Sequence, residues 1–334
     1  MFRLFERLVD PFPREHTGRP PTSIFRFCRH YSRGVTTPLL IMTALSTLLA
    51  IFEVSLFGFL GQLVDWLAAK SPDTLLRDEW PTLLRYSLLV LVVLPALVVL
   101  QSLVVHQALM GNFPMIVRWQ AHRYLMRQSL AFFQDEFAGR IATKLMQTSL
   151  AVREAVMKLM DILVYVGVYF LSIVVLVASA DLRMSVPLLL WLVAYVLVLR
   201  VFVPRLKSVS ERQADARSMM TGRIVDSYTN ITTVKLFSHA RREAAYAREG
   251  MQEFLDTVHP QMRLVTALYA AVWGINALLV FSVAALSINL WLQQAVSTGS
   301  IAIAIALCLR LNGMSQWIMW EVASLFENIG TVRD

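Results

Sequence analysis

The sequence is short of charge, of cysteine and of the glycine-lysine pairs that nucleotide sites need, and each shortage removes a class of function. Only 16% of its 334 residues are Asp, Glu, Lys or Arg. That is too few to cover a soluble protein of this size, and they are segregated rather than scattered. The two cysteines, Cys28 and Cys308, stand far apart, one in a basic amphipathic segment and one inside an apolar run. Neither a disulfide framework nor a metal site is indicated. No glycine precedes a lysine, so the phosphate-cradling Gly-x-x-x-x-Gly-Lys-Ser/Thr loop is missing, and no Gly-Gly pair occurs. The expectation is therefore no catalytic, cofactor-binding or metal residue, and no ATP hydrolysis by this chain alone. The apolar runs also lack a His/Asp/Glu cluster or a Ser–His pairing, which argues against an integral-membrane enzyme.

What is abundant is hydrocarbon. Hydrophobic residues make up 57% and the mean hydropathy is +0.57, far above a soluble globular protein. Six apolar runs, 38–64, 83–106, 159–180, 184–204, 264–292 and 299–325, each reach the roughly 20 residues needed to cross about 30 Å of hydrocarbon. The connections alternate. Asp65 to Pro81 is short and acidic, with Asp73, Asp78 and Glu79. Next comes a long basic segment with Arg118, Arg123, Arg127, Arg140, Lys144, Arg153 and Lys158. A tight turn follows at Asp181–Leu182–Arg183, then a second long basic segment, then an uncharged turn from Gln293 to Gly299. Lys and Arg crowd the N-terminus and the long connections, so those face the cytoplasm and both termini lie inside. The net charge of +8 thus reads as topology and not as nucleic-acid binding. Trp66, Trp80 and Trp291 fall at the outer ends, where indole rings favour the headgroup layer. Residues 1–21, with Arg3, Arg7, Arg14 and Arg19, read as a cytoplasmic tail. No cleavable signal is evident. Thr22 or Ser23 can cap a short amphipathic helix through Tyr31, lying along the inner leaflet.

The second long segment, from Pro204 to Met262, organises the rest. It is polar, basic and nearly free of breakers: Gly222 and Gly250 are the only ones between Pro204 and Pro260. A structureless loop of about sixty residues would be exceptional. The spacing predicts instead that both flanking membrane helices continue beyond the bilayer and meet around a junction near Asn230. A helix from Leu83 to Gln128 would likewise be roughly 70 Å long. Ile116, Trp119, Tyr124, Leu125 and Leu130 recur at helical spacing there, so these extensions pack on one another or on a partner.

Two motifs sit in the extensions. The first is Phe132-Phe133-Gln134-Asp135-Glu136-Phe137-Ala138-Gly139-Arg140-Ile141-Ala142-Thr143-Lys144-Leu145. The second is Asp226-Ser227-Tyr228-Thr229-Asn230-Ile231-Thr232-Thr233-Val234-Lys235-Leu236-Phe237. With the tail Leu325–Asp334, they resemble the two coupling-helix segments and the linker of ABC exporters of the multidrug and lipid A flippase type. The resemblance runs from the interfacial elbow helix to the linker. It implies an all-α integral membrane fold: a tail and elbow over 1–35, a six-helix transmembrane domain over 36–326, and the start of a linker over 327–334. It also implies a permease that forms the translocation pathway and takes up ATPase-domain motion through Phe133, Asp135, Glu136, Gly139, Asp226, Asn230, Ile231, Val234 and Lys235. ATP and Mg would belong to an ATPase domain, on the same longer polypeptide or on a separate subunit, with truncation the favoured account. The remaining implied partners are a second six-span half, identical or homologous, and membrane lipids, with no nucleic acid; the implied site is a bacterial inner membrane. Two positions depart from the pattern. Thr148 stands where many members carry an acid, and Asn230 where glycine is common; Asn tolerates a left-handed backbone better than most residues.

Ionisable groups inside spans are costly and usually face a cavity or a partner. Glu53 and Arg310 lie at matching depths in spans one and six and are candidate translocation-cavity residues, together with Asn312 and Gln316. For the two charges a cargo contact and an interhelical ion pair stand side by side. Asn276, Asn289, Asn312 and Gln316 read first as interhelical hydrogen-bonders. His106 reads as a satisfied interfacial histidine. The competing functional reading is a truncated or accessory membrane protein with no transport of its own. Ion-driven transport would predict inverted repeats and broken helices, and neither is visible.

Overall fold

The computed structural model describes residues 2–13, 20–135, 138–237 and 240–333. All regular structure among them is helical. Six stretches are long and apolar enough to span a bilayer: Arg33–Ala69, Thr74–Leu125, Gly139–Ala180, Leu182–Thr229, Arg241–Leu292 and Thr298–Arg333. They coincide with the six runs read from the sequence, and several continue well past them. Numbered in order, the helices are α1 (Phe2–Glu6), α2 (Ile24–Tyr31), α3 (Thr36–Ala69), α4 (Pro72–Leu88), α5 (Leu94–Ser102), α6 (Asn112–Leu125) and α7 (Leu130–Asp135). Then come α8 (Ala138–Met157), α9 (Leu163–Ala180), α10 (Ser185–Thr229), α11 (Ile231–Leu236), α12 (Ala240–Leu292) and α13 (Thr298–Arg333). Single-chain helix is the expected solution in lipid, where each backbone group must be satisfied within its own segment.

The chain divides into two compact units, residues 1–185 with 283–334, and residues 186–282. In the first unit α3 packs along α9 and α13, while α8 packs on α13 and α6. Its main cluster lies at the ends of the spans nearest the long basic connections, here called the basic side. Leu39, Met42, Ala108, Leu109, Phe113, Ile116 and Val152 are essentially inaccessible there. Three π-helical stretches, Leu89–Val93, Leu103–Leu109 and Lys158–Ile162, interrupt the α geometry of spans two and three. Such bulges shift the helix face and free carbonyls. Within the third of them Met160 O accepts from Thr43 Oγ1 at 2.8 Å, a contact between spans one and three.

One connection differs from the sequence reading. The segment Asp65–Pro81 is not a loop, because α3 runs through Ala69 and α4 starts at Pro72. Proline at the first helical position costs no hydrogen bond. Lys70 Nζ bridges to Glu79 at 2.6 Å and Asp78 at 3.9 Å, tying the short link to the helix that follows. Pro81, which read as the end of the connection, sits inside α4. On the same side of the molecule Gln294 takes φ 56°, and its amide and that of Ala295 close back on Trp291 O and Leu290 O. This is a left-handed helix stop made with Gln where Gly is usual.

The segment read as a tail is also packed. Val9 is buried in the main cluster and Phe5 lies against it. Asn112 Nδ2 donates to Glu6 O at 3.0 Å, Trp119 Nε1 to Pro13 O at 3.3 Å, and the rings of Phe12 and Trp119 meet edge to face at 5.7 Å. Residues 2–13 therefore form an arm along span two. Of the basic residues in the tail reading, Arg14 and Arg19 lie outside the described residues.

In the second unit α10 and α12 are both much longer than a bilayer requires, at 45 and 53 residues, or about 68 and 80 Å at 1.5 Å per residue. Pro204 and Pro260 lie inside them and do not end them. Deep in the apolar part, Trp191 Nε1 donates to buried Asn276 Oδ1 at 2.8 Å, and Trp191 stacks on Tyr195 at 5.1 Å. The interhelical role expected for Asn276 is thus met.

Candidate functional site

The junction at Asn230 has the predicted form. α10 ends at Thr229, Asn230 breaks the helix with φ −98° and ψ 24°, and α11 begins at Ile231. Asn230 Nδ2 and its own amide both donate to Asp226 O at 3.0 Å. The left-handed backbone for which glycine would be favoured is not used, so Asn serves as well. α11 makes one and a half turns and leaves its side chains outside: Ile231, Lys235, Leu236 and Phe237 are exposed and Val234 is half-buried. Asp226 is exposed as well.

A polar clasp holds the two rods next to this junction. Arg223 Nη2 forks to both Glu253 oxygens at 3.0 Å and its guanidinium lies 5.0 Å from the Tyr246 ring centre. Ser227 Oγ donates to Glu243 at 2.8 Å. Gly250 makes this possible: a Cβ there would sit 3.0 Å from Arg223 Cδ. A charge-assisted contact of this kind is stronger than a neutral one, and here it joins α10 to α12 beside the junction, so the clasp helps set where α11 is presented.

The first motif forms a matching short helix, α7, with Phe133 exposed and packed edge to face on Phe132 at 5.3 Å. Ser129 Oγ accepts from Phe132 N at 3.3 Å at its start. Asp135 closes the helix. Glu136 lies outside the described residues. Gly139 is exposed in the first turn of α8, with nothing within 4 Å of where a Cβ would stand.

Within the spans, the structure brings Glu53 and Arg310 together. Arg310 Nη2 lies 3.3 Å from Glu53 Oε2, Tyr165 Oη donates to the same oxygen at 2.9 Å, and the guanidinium sits 5.9 Å from the Tyr169 ring centre. The pair borders an open, largely apolar cavity of about 460 Å³ lined by Leu56, Phe57, Phe59, Leu60, Leu63 and Val90. Asn312 and Gln316 do not join them. At two and six positions after Arg310, they project roughly 200° and 240° around α13 at 100° per residue, and both are half-buried. His106 bonds its own helix through Ser102 O at 3.0 Å, as expected of a satisfied residue.

Three polar constellations escaped the sequence reading. Asp161, in a π-helical stretch, accepts from Ser46 Oγ and, at 3.2 Å, from Gln101 Nε2, which also donates to Ser46 Oγ at 2.8 Å. This links spans one, two and three. Nearer the basic side Lys158 Nζ meets Glu321 at 2.6 Å. At the opposite end of span one, Asp65 receives Gly299 N at 2.7 Å, Ser297 Oγ at 2.8 Å and Thr298 Oγ1 at 3.3 Å. It thereby satisfies one free amide and two hydroxyls at the start of α13.

Comparison with known proteins bears on all of this. Residues 39–314 match the family described as the ABC transporter transmembrane region. The chain belongs to that family. As an ABC transporter transmembrane chain it is 45% identical, over its whole length, to a Haemophilus influenzae protein described as an uncharacterized ABC transporter ATP-binding protein. It spans 54% of that relative's length. A bacterial Atm1-family ABC exporter, solved with ATP bound, has the same fold over 91% of this chain and 52% of its own, with a TM-score of 0.63 at 17% identity. The all-α, six-span exporter fold and the multi-pass membrane character expected from the sequence are thus established for this ABC transporter chain.

Proposed function

We propose that this chain is the permease part of an ATP-driven exporter, with α7 and α11 as the sites where an ATPase domain docks. The observation that carries the proposal is α11: a short exposed helix, set between two rods of about 70 to 80 Å, clasped by Arg223 and Glu253, and built from the motif residues Asp226 to Lys235. A lever needs a stiff arm and a free contact face, and α11 supplies both. Phe133 and Gly139 supply a second exposed face near α7. The ATPase domain would bring ATP and Mg. The chain's share of its relative's length supports placing that domain on a longer polypeptide. A second six-span half completes the assembly, with both termini and the basic side in the cytoplasm of a bacterial cell and the spans in the inner membrane.

Glu53 and Arg310 are the proposed cargo-facing residues, since their ion pair borders the open cavity. The test of coupling uses the complete transporter in vesicles. Ile231→Glu with Val234→Asp is expected to abolish ATP-dependent transport while the spans stay folded. Retained transport would overturn the docking role, and absence of any associated ATPase activity in the parental protein would favour the accessory reading.

A further inference from the structure

The cavity beside Glu53 and Arg310 lies along a seam where span one runs antiparallel to span six. At mid-depth the seam is the Glu53–Arg310 pair. About two turns further along α3, Gly61 stands against Gly299 and Ile303: a Cβ on Gly61 would lie 2.1 Å from Ile303 Cδ1 and 3.0 Å from Gly299 O. At the end away from the basic side, Asp65 takes Gly299 N at 2.7 Å, Ser297 Oγ at 2.8 Å and Thr298 Oγ1 at 3.3 Å. The cavity follows the same stretch of α3, from Glu53 through Leu56 and Leu60 to Leu63, and stops short of Asp65. The two ends of the seam differ in what parting them would cost. Glu53 and Arg310 lie deep among apolar side chains, where a separated charge is expensive. Ser297 and Thr298 are exposed, so water can replace the hydrogen bonds they give to Asp65. Between the ends, Ile303 rests on the bare backbone of Gly61, with no side chain of span one interlocked at that point.

We propose that this seam is the outward gate of the cavity and that Asp65 is its latch: spans one and six part from Asp65 as far as Gly61, while the Glu53–Arg310 pair holds as the pivot. The gate rests on the export function proposed above, which makes the cavity a stage of cargo passage and the side opposite the basic side the outer one. Parting the seam above Gly61 joins the cavity, whose lining already reaches Leu63, to the outer surface. The gradient of cost assigns the two roles. Opening the lower end would strand a charge on each helix. Opening the upper end exchanges three hydrogen bonds, two of them exposed, for hydrogen bonds to water, and such exchanges nearly balance. A latch must also close again in one position. Asp65 does so by taking a fixed backbone amide at the start of α13, a helix terminus whose partial positive charge suits a carboxylate. Asn at the same position would keep the shape and lose that charge.

The test uses the complete transporter with its ATPase domain, in nanodiscs. Nitroxides are placed at Leu67→Cys and Thr298→Cys in a Cys28→Ala/Cys308→Ala background, and the labelled chain is diluted with unlabelled chain. Leu67 is exposed just beyond the latch, and Thr298 makes the longest of its three contacts. Trapping with ATP and vanadate is expected to lengthen the distance between the labels. Asp65→Asn is expected to raise the parted population about tenfold without nucleotide, through loss of the charge-assisted contacts. In Asp65→Cys/Ser297→Cys, bridging the two thiols with a reversible bis-methanethiosulfonate is expected to suppress ATP turnover, and reductant to restore it. A label distance that stays unchanged during hydrolysis, or full turnover by the bridged protein, overturns the gate alone. A parental protein with no ATPase activity overturns the export function and the gate with it. The label pair keeps Asp65 in place, so the gate remains testable if Asp65→Asn fails to fold.

Discussion

At the scale of single residues, the Glu53–Arg310 pair sets two demands against each other. Each charge is expensive in hydrocarbon, and each lowers the cost of the other, with Tyr165 adding a hydrogen bond to the shared oxygen. Removing one member strands the other, and stranding is what costs most. We expect Arg310→Met to lower the unfolding midpoint more than Arg310→Met/Glu53→Gln does, with a coupling free energy above about 1 kcal/mol in a double-mutant cycle. Additive midpoints would mean that the two groups act independently. Transport by the double variant is a separate readout: full activity would limit the pair to packing. Glycines offer a second contrast. A Cβ on Gly299 would run into Gly61 O and lie 2.6 Å from the Asp65 carboxylate, whereas one on Gly139 meets nothing. Gly299→Ala should therefore destabilise by about 1–3 kcal/mol, as overpacking does. Gly139→Ala should leave this chain's stability unchanged or raise it by up to about 1 kcal/mol. Thermal unfolding in one detergent checks both.

At the scale of elements, the short helix α2 holds a titratable group in a confined place. Burial, and then the Arg33 charge beside it, lower the affinity of His30 for its proton. A histidine whose folded value lies below its unfolded value of about 6.5 stabilises the fold when neutral. That stabilisation is present above pH 6.5 and is lost as pH falls through the lowered folded value. Acidification from pH 7 to 5 should therefore reduce the stability of the parental chain, and His30→Phe should flatten that slope. An unchanged slope would place the acid sensitivity elsewhere.

The elements themselves were legible to different degrees. Spans and extensions could be read because unbroken apolar runs and a breaker-free polar stretch leave helix as the one economical conformation, and Asn230 is where the rods indeed part. The contacts that fasten spans together could not be read. Asp161 sits at the edge of an apolar run, and its partners Ser46 and Gln101 are 115 and 60 positions away. Asp65 reads as one more acid in an outer connection until α13 brings three donors to it. Hydropathy locates a span but carries no signal for which faces meet. The arm was missed for the opposite reason: Pro11, Pro13 and a scatter of arginines look like solvated tail, while one buried valine and two aromatic anchors fix its course.

At the scale of the whole molecule, the proposed mechanism depends on where the basic side lies. Under the proposed topology the positive-inside rule predicts Lys235 in the cytoplasm and the turn at Gln294 outside. These assignments come from charge alone, so they need a measurement that charge does not influence. In a Cys28→Ala/Cys308→Ala background, Lys235→Cys should resist a membrane-impermeant maleimide in intact cells and react fully after permeabilisation. Gln294→Cys should react at once in intact cells. Both positions are exposed, so a failure to react cannot be assigned to burial within this chain. If Lys235→Cys is labelled from outside, α11 faces away from any cytoplasmic ATPase, and the long rods would have no motor to connect to. If it is protected even after permeabilisation, a bound partner covers α11. Releasing that protection with Ile231→Glu would then identify the docking face directly.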